Sequence, residues 1–265
     1  MVLHCLLVTM EKRTLTALPP DTPQQFLRFA EGSTVFDSSC SEDARVWFLD
    51  KGFYLKKARK GALAKEAAMY SFFHSKGLAP EVLAFERLES DWMLTAKANG
   101  EDCTDSLYLS DPKRLCETTA TLLRQLHETD FTGCPVADRT KDYLATVEEN
   151  YHLGRYDTSL FPNRISAEEA WKIAEENGKY LQTDTLLHGD YCLPNIMLDN
   201  WDFSSFIDLG CGGVGDRHID LFWGVWTLEF NLKTDKYADR FLDAYGRDKV
   251  NPDIFPVIAA CEVFG

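Results

Sequence analysis

Four polar side chains stand at spacings that suit phosphoryl transfer: Lys56, Asp190, Asn195 and Asp208. Asp190 lies in His188-Gly189-Asp190-Tyr191-Cys192-Leu193-Pro194-Asn195, five residues before Asn195. Asp208 follows eighteen residues after Asp190, in Phe206-Ile207-Asp208-Leu209-Gly210. Mg²⁺ is a hard cation that takes oxygen ligands, commonly one or two carboxylates plus phosphate oxygens. Asn195 and Asp208 offer such oxygens. Another carboxylate must accept a hydrogen bond from the attacking hydroxyl and hold it in line with the γ-phosphate. Asp190 has the position for that task. Lys56 ends a stretch with strand character, and a strand-borne lysine can reach the α- and β-phosphates.

The elements that must position these groups follow from the pattern. Ile196-Met197-Leu198, a turn at Asp199-Asn200 and a strand ending in Phe206-Ile207 predict a β-hairpin. The hairpin would return Asp208 beside Asn195, across from the loop that carries Asp190. Val46–Leu49 and Phe53–Lys56, joined by Asp50-Lys51-Gly52, predict a second hairpin. Lys57 would point to the face opposite Lys56, by the period of two. A helix is expected from about Ala62 to Ser75, with Met69, Phe72 and Phe73 on its core face. Val82–Phe85 and Trp92–Thr95 read as further strands, the second leading into Ala96-Lys97-Ala98-Asn99-Gly100. Asp111-Pro112 opens a helix with Leu115, Leu122 and Leu126 as its stripe, and His127 at its end reads as structural. Ser166-x-x-Glu169 is a capping box whose helix runs to Gly178. The last amphipathic helix carries Tyr237, Phe241, Leu242 and Tyr245, with Gly246 as its stop.

Composition excludes some classes. The 265 residues are 45% hydrophobic, with six Trp and seventeen Phe, which describes a globular chain. A net charge of −14 argues against a nucleic-acid partner, because phosphate backbones call for a basic face. It suits a polycationic small molecule. The eight cysteines are scattered, with no C-x-x-C pair, and read as reduced thiols in a cytoplasmic protein. Met1–Met10 is apolar but short, lacks a basic leader region, and reads as a disordered or edge extension, with Met10 as an alternative start. No later run is long and apolar enough to span a membrane.

The spacing His188-x-Asp190-x-x-x-x-Asn195, followed by Asp208-Leu209-Gly210, resembles the catalytic and metal segments of protein kinases. With HGDYCLPNIM, FSSFIDLG and GVGDRHIDL taken together, the C-terminal half resembles the kinase-like aminoglycoside phosphotransferase family, and within it the aminoglycoside 3′-phosphotransferases. The resemblance implies a two-lobed α+β fold: a β-rich lobe over 1–95 and a mostly helical lobe over 96–265. It implies ATP or GTP as co-substrate with Mg²⁺, and Asp190 as the catalytic acid–base group. It implies Asn195 and Asp208 as metal ligands, and nucleotide contacts from Ser41, Lys56, Glu66, Thr95, Ala96 and Ala98. Glu66 would pair with Lys56, and the backbone of Ala96–Gly100 would meet the purine edge. It implies substrate contacts from Asp157, Asp190, Glu229, Glu262 and Phe264, and scaffold roles for Asp216 and Asp220. The implied acceptor is an aminoglycoside 3′-hydroxyl, with resistance as the outcome and a monomer or weak dimer as the active form. Two other readings stand beside it: a related kinase acting on another amino sugar, amino alcohol or metabolite, and a nucleotide-binding protein without catalysis.

Two positions depart from the family pattern. Cys211 stands where these enzymes commonly carry Arg, close to the transferring phosphate; either Lys56 and Mg²⁺ suffice without that cation, or Arg217 reaches the site. Cys261-Glu262-Val263-Phe264-Gly265 replaces an Asp-Glu-x-Phe ending. Cys261 is therefore expected to cost one cation contact and Gly265 to displace another.

Overall fold

The computed structural model describes residues 14–40, 43–160 and 165–265; Ser41 and the Met1–Met10 extension lie outside them. In chain order the elements are β1 (Thr14–Thr16), α1 (Gln24–Ala30), β2 (Val35–Asp37), β3 (Ala44–Leu49), β4 (Phe53–Arg59), α2 (Ala64–Ser75), β5 (Val82–Arg87) and β6 (Ser90–Ala96). Then follow β7 (Glu101–Asp102), α3 (Ser106–Leu109), α4 (Pro112–His127), α5 (Arg139–His152), α6 (Ala167–Asn177), β8 (Thr185–Leu187), β9 (Ile196–Asp199), β10 (Asp202–Phe206) and β11 (Gly213–Gly215). The chain closes with α7 (His218–Leu232), α8 (Ala238–Tyr245) and α9 (Phe255–Glu262). These group into two compact units: residues up to Glu101 with Met197–Gly210, and Asp102–Ile196 with Cys211–Gly265.

The first unit is built on a six-stranded sheet in the order β1-β2-β3-β4-β6-β5, whose pairs are all antiparallel. Gly52 (φ +98°) makes the β3–β4 turn, and the register pairs Val46 with Lys56 and Trp47 with Leu55. Successive side chains alternate between faces. Leu55 therefore joins Phe26, Trp47, Leu49, Trp92 and Leu94 in a buried cluster, while Lys56 faces the other way. Lys57 shares the cluster's face: its ammonium lies 4.8 Å over the Trp92 ring and pairs with Asp21. The cluster is capped by α1, whose buried residue is Phe26; that helix has too short a pattern to read from sequence. On α2 the buried stripe is Glu66, Met69, Tyr70 and Phe73, spaced i, i+3, i+4, i+7. Phe72 falls off that stripe and is only half-buried. The β9–β10 connection is a two-residue turn at Asn200 and Trp201, both with positive φ (51° and 76°), the geometry that matches strand twist in tight hairpins.

The second unit is mainly helical. Asp111 caps α4 by accepting from the Arg114 amide, with Pro112 in its first turn. Leu115, Leu122 and Leu126 are buried along it. The capping box of α6 is present in both directions, Ser166 to Glu169 and back. β8 and β11 pair antiparallel, setting Leu187 opposite Gly213. The final helix α9 has the sequence FPVIAACE, which is apolar all round and so shows no amphipathic period; the structure buries six of its residues, from Val257 to Glu262. Among the described residues no helix is long and apolar enough to cross a membrane.

Candidate active site

In the first unit the structure brings Lys56, Glu66 and Asp208 together. Lys56 Nζ donates to Glu66 Oε1 at 2.8 Å and Oε2 at 3.0 Å, and to Asp208 Oδ1 at 2.9 Å. The sheet delivers Lys56, one turn of α2 delivers Glu66, and the end of the β9–β10 hairpin delivers Asp208. Burial opposes the lysine's charge, but Asp208 and Glu66 outweigh it and push its pKa well above the usual value. Lys56 is thus a fixed cation. Asp208 adopts a left-handed backbone (φ +61°), a strained state for a residue with a Cβ. Its amide is held by the Tyr70 hydroxyl at 2.9 Å, which helps to maintain that state.

The expected purine-binding stretch is more restricted than the sequence suggested. Thr95 sits in a strand with neighbours on both sides, opposite Tyr54 and Val82, so its backbone belongs to the sheet. The amide of Ala96 is donated to Glu81 O (3.0 Å) and that of Lys97 to Gly52 O (2.9 Å). Amide donation to a purine would therefore fall to Ala98. Gly100 is required where it stands, because a Cβ there would lie 1.9 Å from the Leu198 carbonyl oxygen.

In the second unit the loop from His188 to Asn195 is pinned from several sides. Asp220, fully buried, accepts from the amides of His188 (2.8 Å) and Gly189 (2.7 Å). It also contacts His127 Nε2 at 3.1 Å, and His127 Nδ1 lies 2.8 Å from the Tyr245 hydroxyl. Burial lowers the His127 pKa, more than Asp220 raises it, so this histidine is a neutral structural link, as the sequence indicated. The Leu193 amide donates to Thr227 Oγ1 (3.1 Å), and the Tyr191 hydroxyl to Thr119 O (2.7 Å). Gly189 is left-handed (φ +83°), and a Cβ on it would lie 1.9 Å from Cys211 O. Within the loop, Asn195 Nδ2 donates to Asp190 O (2.9 Å) and Asp190 Oδ2 (3.0 Å). Asp216 serves a different partner from Asp220: it accepts from the Gln182 amide (2.7 Å) and from the His218 amide and ring.

A Mg²⁺ ion can be tested against these donors. The Asn195 nitrogen is committed to Asp190, which leaves its amide oxygen as the coordinating atom, and Asp208 adds a partly exposed carboxylate (38%). Among the described residues no three His, Cys, Asp or Glu side chains cluster as a metal cage. An amide oxygen and a carboxylate are each donor types that suit Mg²⁺, which takes oxygen ligands, keeps waters and binds through substrate phosphates. The residues fit the ion.

The expected acceptor contacts divide. Glu262 is buried (4% exposed) and accepts from the Tyr143 hydroxyl at 2.7 Å. Burial raises its pKa to about 7, with Tyr143 and Arg139 opposing that rise and Asp190 adding to it. Phe264 does not present its ring to solvent. It is 1% exposed and packs edge-on against Tyr151, Tyr156 and Trp171, so it anchors the chain end. Asp157 is exposed; its carboxylate accepts from the Ser159 amide, and its amide donates to Val263 O at 2.8 Å. Glu229 is exposed on α7, two residues past the Thr227 that faces the loop, hence near the other side of the helix. Cys261 is fully buried. An Asp there would be an interior carboxylate rather than a cation contact, so this substitution removes nothing from the surface.

Arg217 is not the replacement cation. Its guanidinium donates to Thr185 Oγ1 (2.9 Å) and neighbours Asp184 (3.7 Å) and the Tyr245 hydroxyl (3.5 Å). The cation that meets Cys211 is Arg139, whose Nε donates to Cys211 O at 2.8 Å. Nothing in the sequence marks it: it opens α5, 72 positions before its partner.

Known proteins agree with this geometry. A family described as the phosphotransferase enzyme family matches residues 37–255. This chain belongs to it. A probable aminoglycoside 3′-phosphotransferase of Lactococcus lactis is 46% identical over 248 residues, covering 92% of this chain and 95% of its own length. An aminoglycoside 3′-phosphotransferase of Niallia circulans is 26% identical, covering 72% of this chain and 74% of its own. The solved aminoglycoside phosphotransferase APH(3″)-Id of Streptomyces rimosus matches with a TM-score of 0.74 at 22% identity, over 91% of this chain and 96% of its own. That likeness shows the fold. This phosphotransferase has the kinase-like α+β architecture, with a β-rich lobe and a helical lobe, that its motifs predicted.

Proposed function

We propose that this phosphotransferase moves the γ-phosphate of ATP or GTP to the 3′-hydroxyl of an aminoglycoside, in the cytoplasm, and so protects its host from the drug. The observation that carries the chemistry is Lys56 bonded at once to Glu66 and Asp208, the arrangement a phosphate-binding lysine needs. The 46% identity to a probable 3′-phosphotransferase supports the acceptor class.

Lys56 would bind the α- and β-phosphates, and Ala98 the purine edge. Asn195 and Asp208 would hold Mg²⁺, which supplies charge neutralisation on the phosphates. Asp190 orients the acceptor hydroxyl and takes its proton late, since a carboxylate is too weak a base to ionise an alcohol in the ground state. Asn195 Nδ2 keeps the Asp190 carboxylate in one orientation for this. Of the acids expected to meet an acceptor ammonium group, Asp157 and Glu229 are exposed, while Glu262 lies buried against the Tyr143 hydroxyl. The experiment that tests the proposal is mass and ³¹P analysis of the product formed from kanamycin and MgATP. A monophosphate on the 3′-oxygen is expected. A phosphate elsewhere, or on another amino sugar alone, would move the activity to a related kinase.

A further inference from the structure

We infer that Tyr245 and His127 are positioning residues of this reaction: acting through Asp220, they set the backbone that aims Asp190 at the acceptor hydroxyl. The inference rests on the phosphotransfer reading above and involves the second unit alone. Asp220 is fully buried. Its Oδ1 accepts from the Gly189 amide at 2.7 Å and its Oδ2 from the His188 amide at 2.8 Å, with His127 Nε2 3.1 Å from that same Oδ2. Both oxygens thus take backbone amides, and a carboxylate is an acceptor only. His127 Nε2 therefore carries the proton that points at Asp220. Burial lowers the His127 pKa, and a neutral imidazole has a single N–H. Its Nδ1 is left as an acceptor, so the Tyr245 hydroxyl, 2.8 Å away, donates to it. The chain then has one direction: Tyr245 donates to His127, and His127 to Asp220.

Three helices build this chain. Tyr245 closes α8, His127 closes α4, and Asp220 stands in the first turn of α7. The His127 and Tyr245 rings meet edge-on, with centroids 5.6 Å apart. Arg124, one turn before His127 on α4, donates to the Tyr245 carbonyl at 3.1 Å. The tyrosine is thereby fixed to the helix that carries the histidine. At the other end, Asp220 holds the two residues that lead into Asp190. The Asp190 amide in turn donates to His188 Nδ1 at 3.3 Å. Gly189 cannot take up a shift between them: it is left-handed (φ +83°), and even a Cβ on it would lie 1.9 Å from Cys211 O. The His127 proton keeps the Asp220 carboxylate in the orientation that serves both amides. With that donor lost, Oδ2 keeps only the His188 amide among these partners, the carboxylate can turn, and the backbone entering Asp190 turns with it. A positioned acid–base group loses rate steeply when its aim is lost.

The test uses Tyr245→Phe, His127→Leu and His127→Gln in the full chain, with thermal unfolding as a check on folding. Long-range ¹H–¹⁵N spectra of the parent should show His127 protonated on Nε2 and bare on Nδ1. With MgATP and kanamycin, Tyr245→Phe should lower kcat about 3- to 10-fold and His127→Leu about 10- to 100-fold, the ranges for losing a neutral and a charged hydrogen bond, with both KM values within about twofold. His127→Gln can still donate to Asp220 and should recover most of the His127→Leu loss. Amide exchange at His188 and Gly189 should quicken about tenfold in Tyr245→Phe and His127→Leu, while the Leu122 and Leu123 amides of α4 keep their parental rates. An Nδ1–H tautomer, or parental exchange at His188 and Gly189 in both variants, would overturn the inference. So would variants that lose thermal stability yet keep the parental kcat, the mark of a purely structural link. The tautomer and the exchange rates are read without any acceptor. Failure of the phosphotransfer reading therefore stays separate from failure of the chain from Tyr245 to the loop.

Discussion

Glu66 offers a quantitative test of how the nucleotide side works. Replacing it by Gln keeps the shape and removes the charge. Lys56 then loses a two-pronged ionic contact at 2.8 and 3.0 Å and keeps its 2.9 Å bond to Asp208. The pair is poorly screened, with the Glu66 side chain 8% and the Lys56 side chain 19% exposed. A hydrogen bond to a charged group contributes about 1.5–3 kcal/mol, against about 0.5–1.5 for a neutral one. Glu66→Gln should therefore cost about 1–2 kcal/mol. If that loss falls on the positioning of Lys56, kcat/KM for ATP should drop roughly 5- to 30-fold, since about 1.4 kcal/mol is tenfold. The acceptor KM should stay near the parent value. Glu66→Ala removes the partner outright, and breaking a buried ion pair costs about 3–5 kcal/mol, a large share of the 5–15 kcal/mol typical of a folded domain. Coupled ADP-release kinetics and thermal unfolding measure both effects. A Gln variant with parental melting temperature and kcat/KM for ATP within twofold would refute the reasoning.

Three further expectations follow from the second unit. Asp190→Asn should bind MgATP as the parent does by calorimetry, yet lose roughly 10²–10⁴ in transfer rate, the usual contribution of a positioned acid–base group; turnover within tenfold would remove Asp190 from its role. Burial pushes the Glu262 carboxyl up from its usual 4.5 to about 7. The folded state therefore holds a proton that the unfolded chain has released between those values, and stability should fall by about 3 kcal/mol as pH rises from 4.5 to above 7. Glu262→Gln should flatten that slope in urea unfolding at pH 5 and pH 8; an unchanged slope would assign it elsewhere. Gly189→Ala should destabilise by more than about 2 kcal/mol, given its left-handed backbone and the carbonyl 1.9 Å from the new methyl, and near-parental unfolding would show that the loop can shift.

What was legible in the sequence was the chemistry with short-range support. The catalytic loop, the Asp208 segment, the Lys56 hairpin and the capped helices α4 and α6 all carry local turn, cap or period signals. Glu66 was assigned through the family resemblance, and its buried place on the stripe of Met69, Tyr70 and Phe73 is the contact that a helix period alone leaves open. What was hidden depends on contacts distant in sequence. Phe264 looked like a ligand contact because its position matched, but the ring is enclosed by Tyr151, Tyr156 and Trp171. Cys261 looked like a lost acid because a sequence shows no burial. α9 showed no period because it is apolar on every side. Arg217 was the nearer cation along the chain, but Thr185 and Asp184 hold it, and Arg139 reached Cys211 through packing that no local pattern encodes.

The measurement that bears most directly on the central claim is Mg²⁺-dependent ADP release with ATP and with GTP, comparing kanamycin with the 3′-deoxy aminoglycoside tobramycin and with no acceptor. The account predicts turnover with kanamycin, little above background with tobramycin, and loss of both in Asp190→Asn. Equal turnover with the two drugs would contradict the 3′-hydroxyl as acceptor, and nucleotide binding without turnover on either would contradict the aminoglycoside assignment itself.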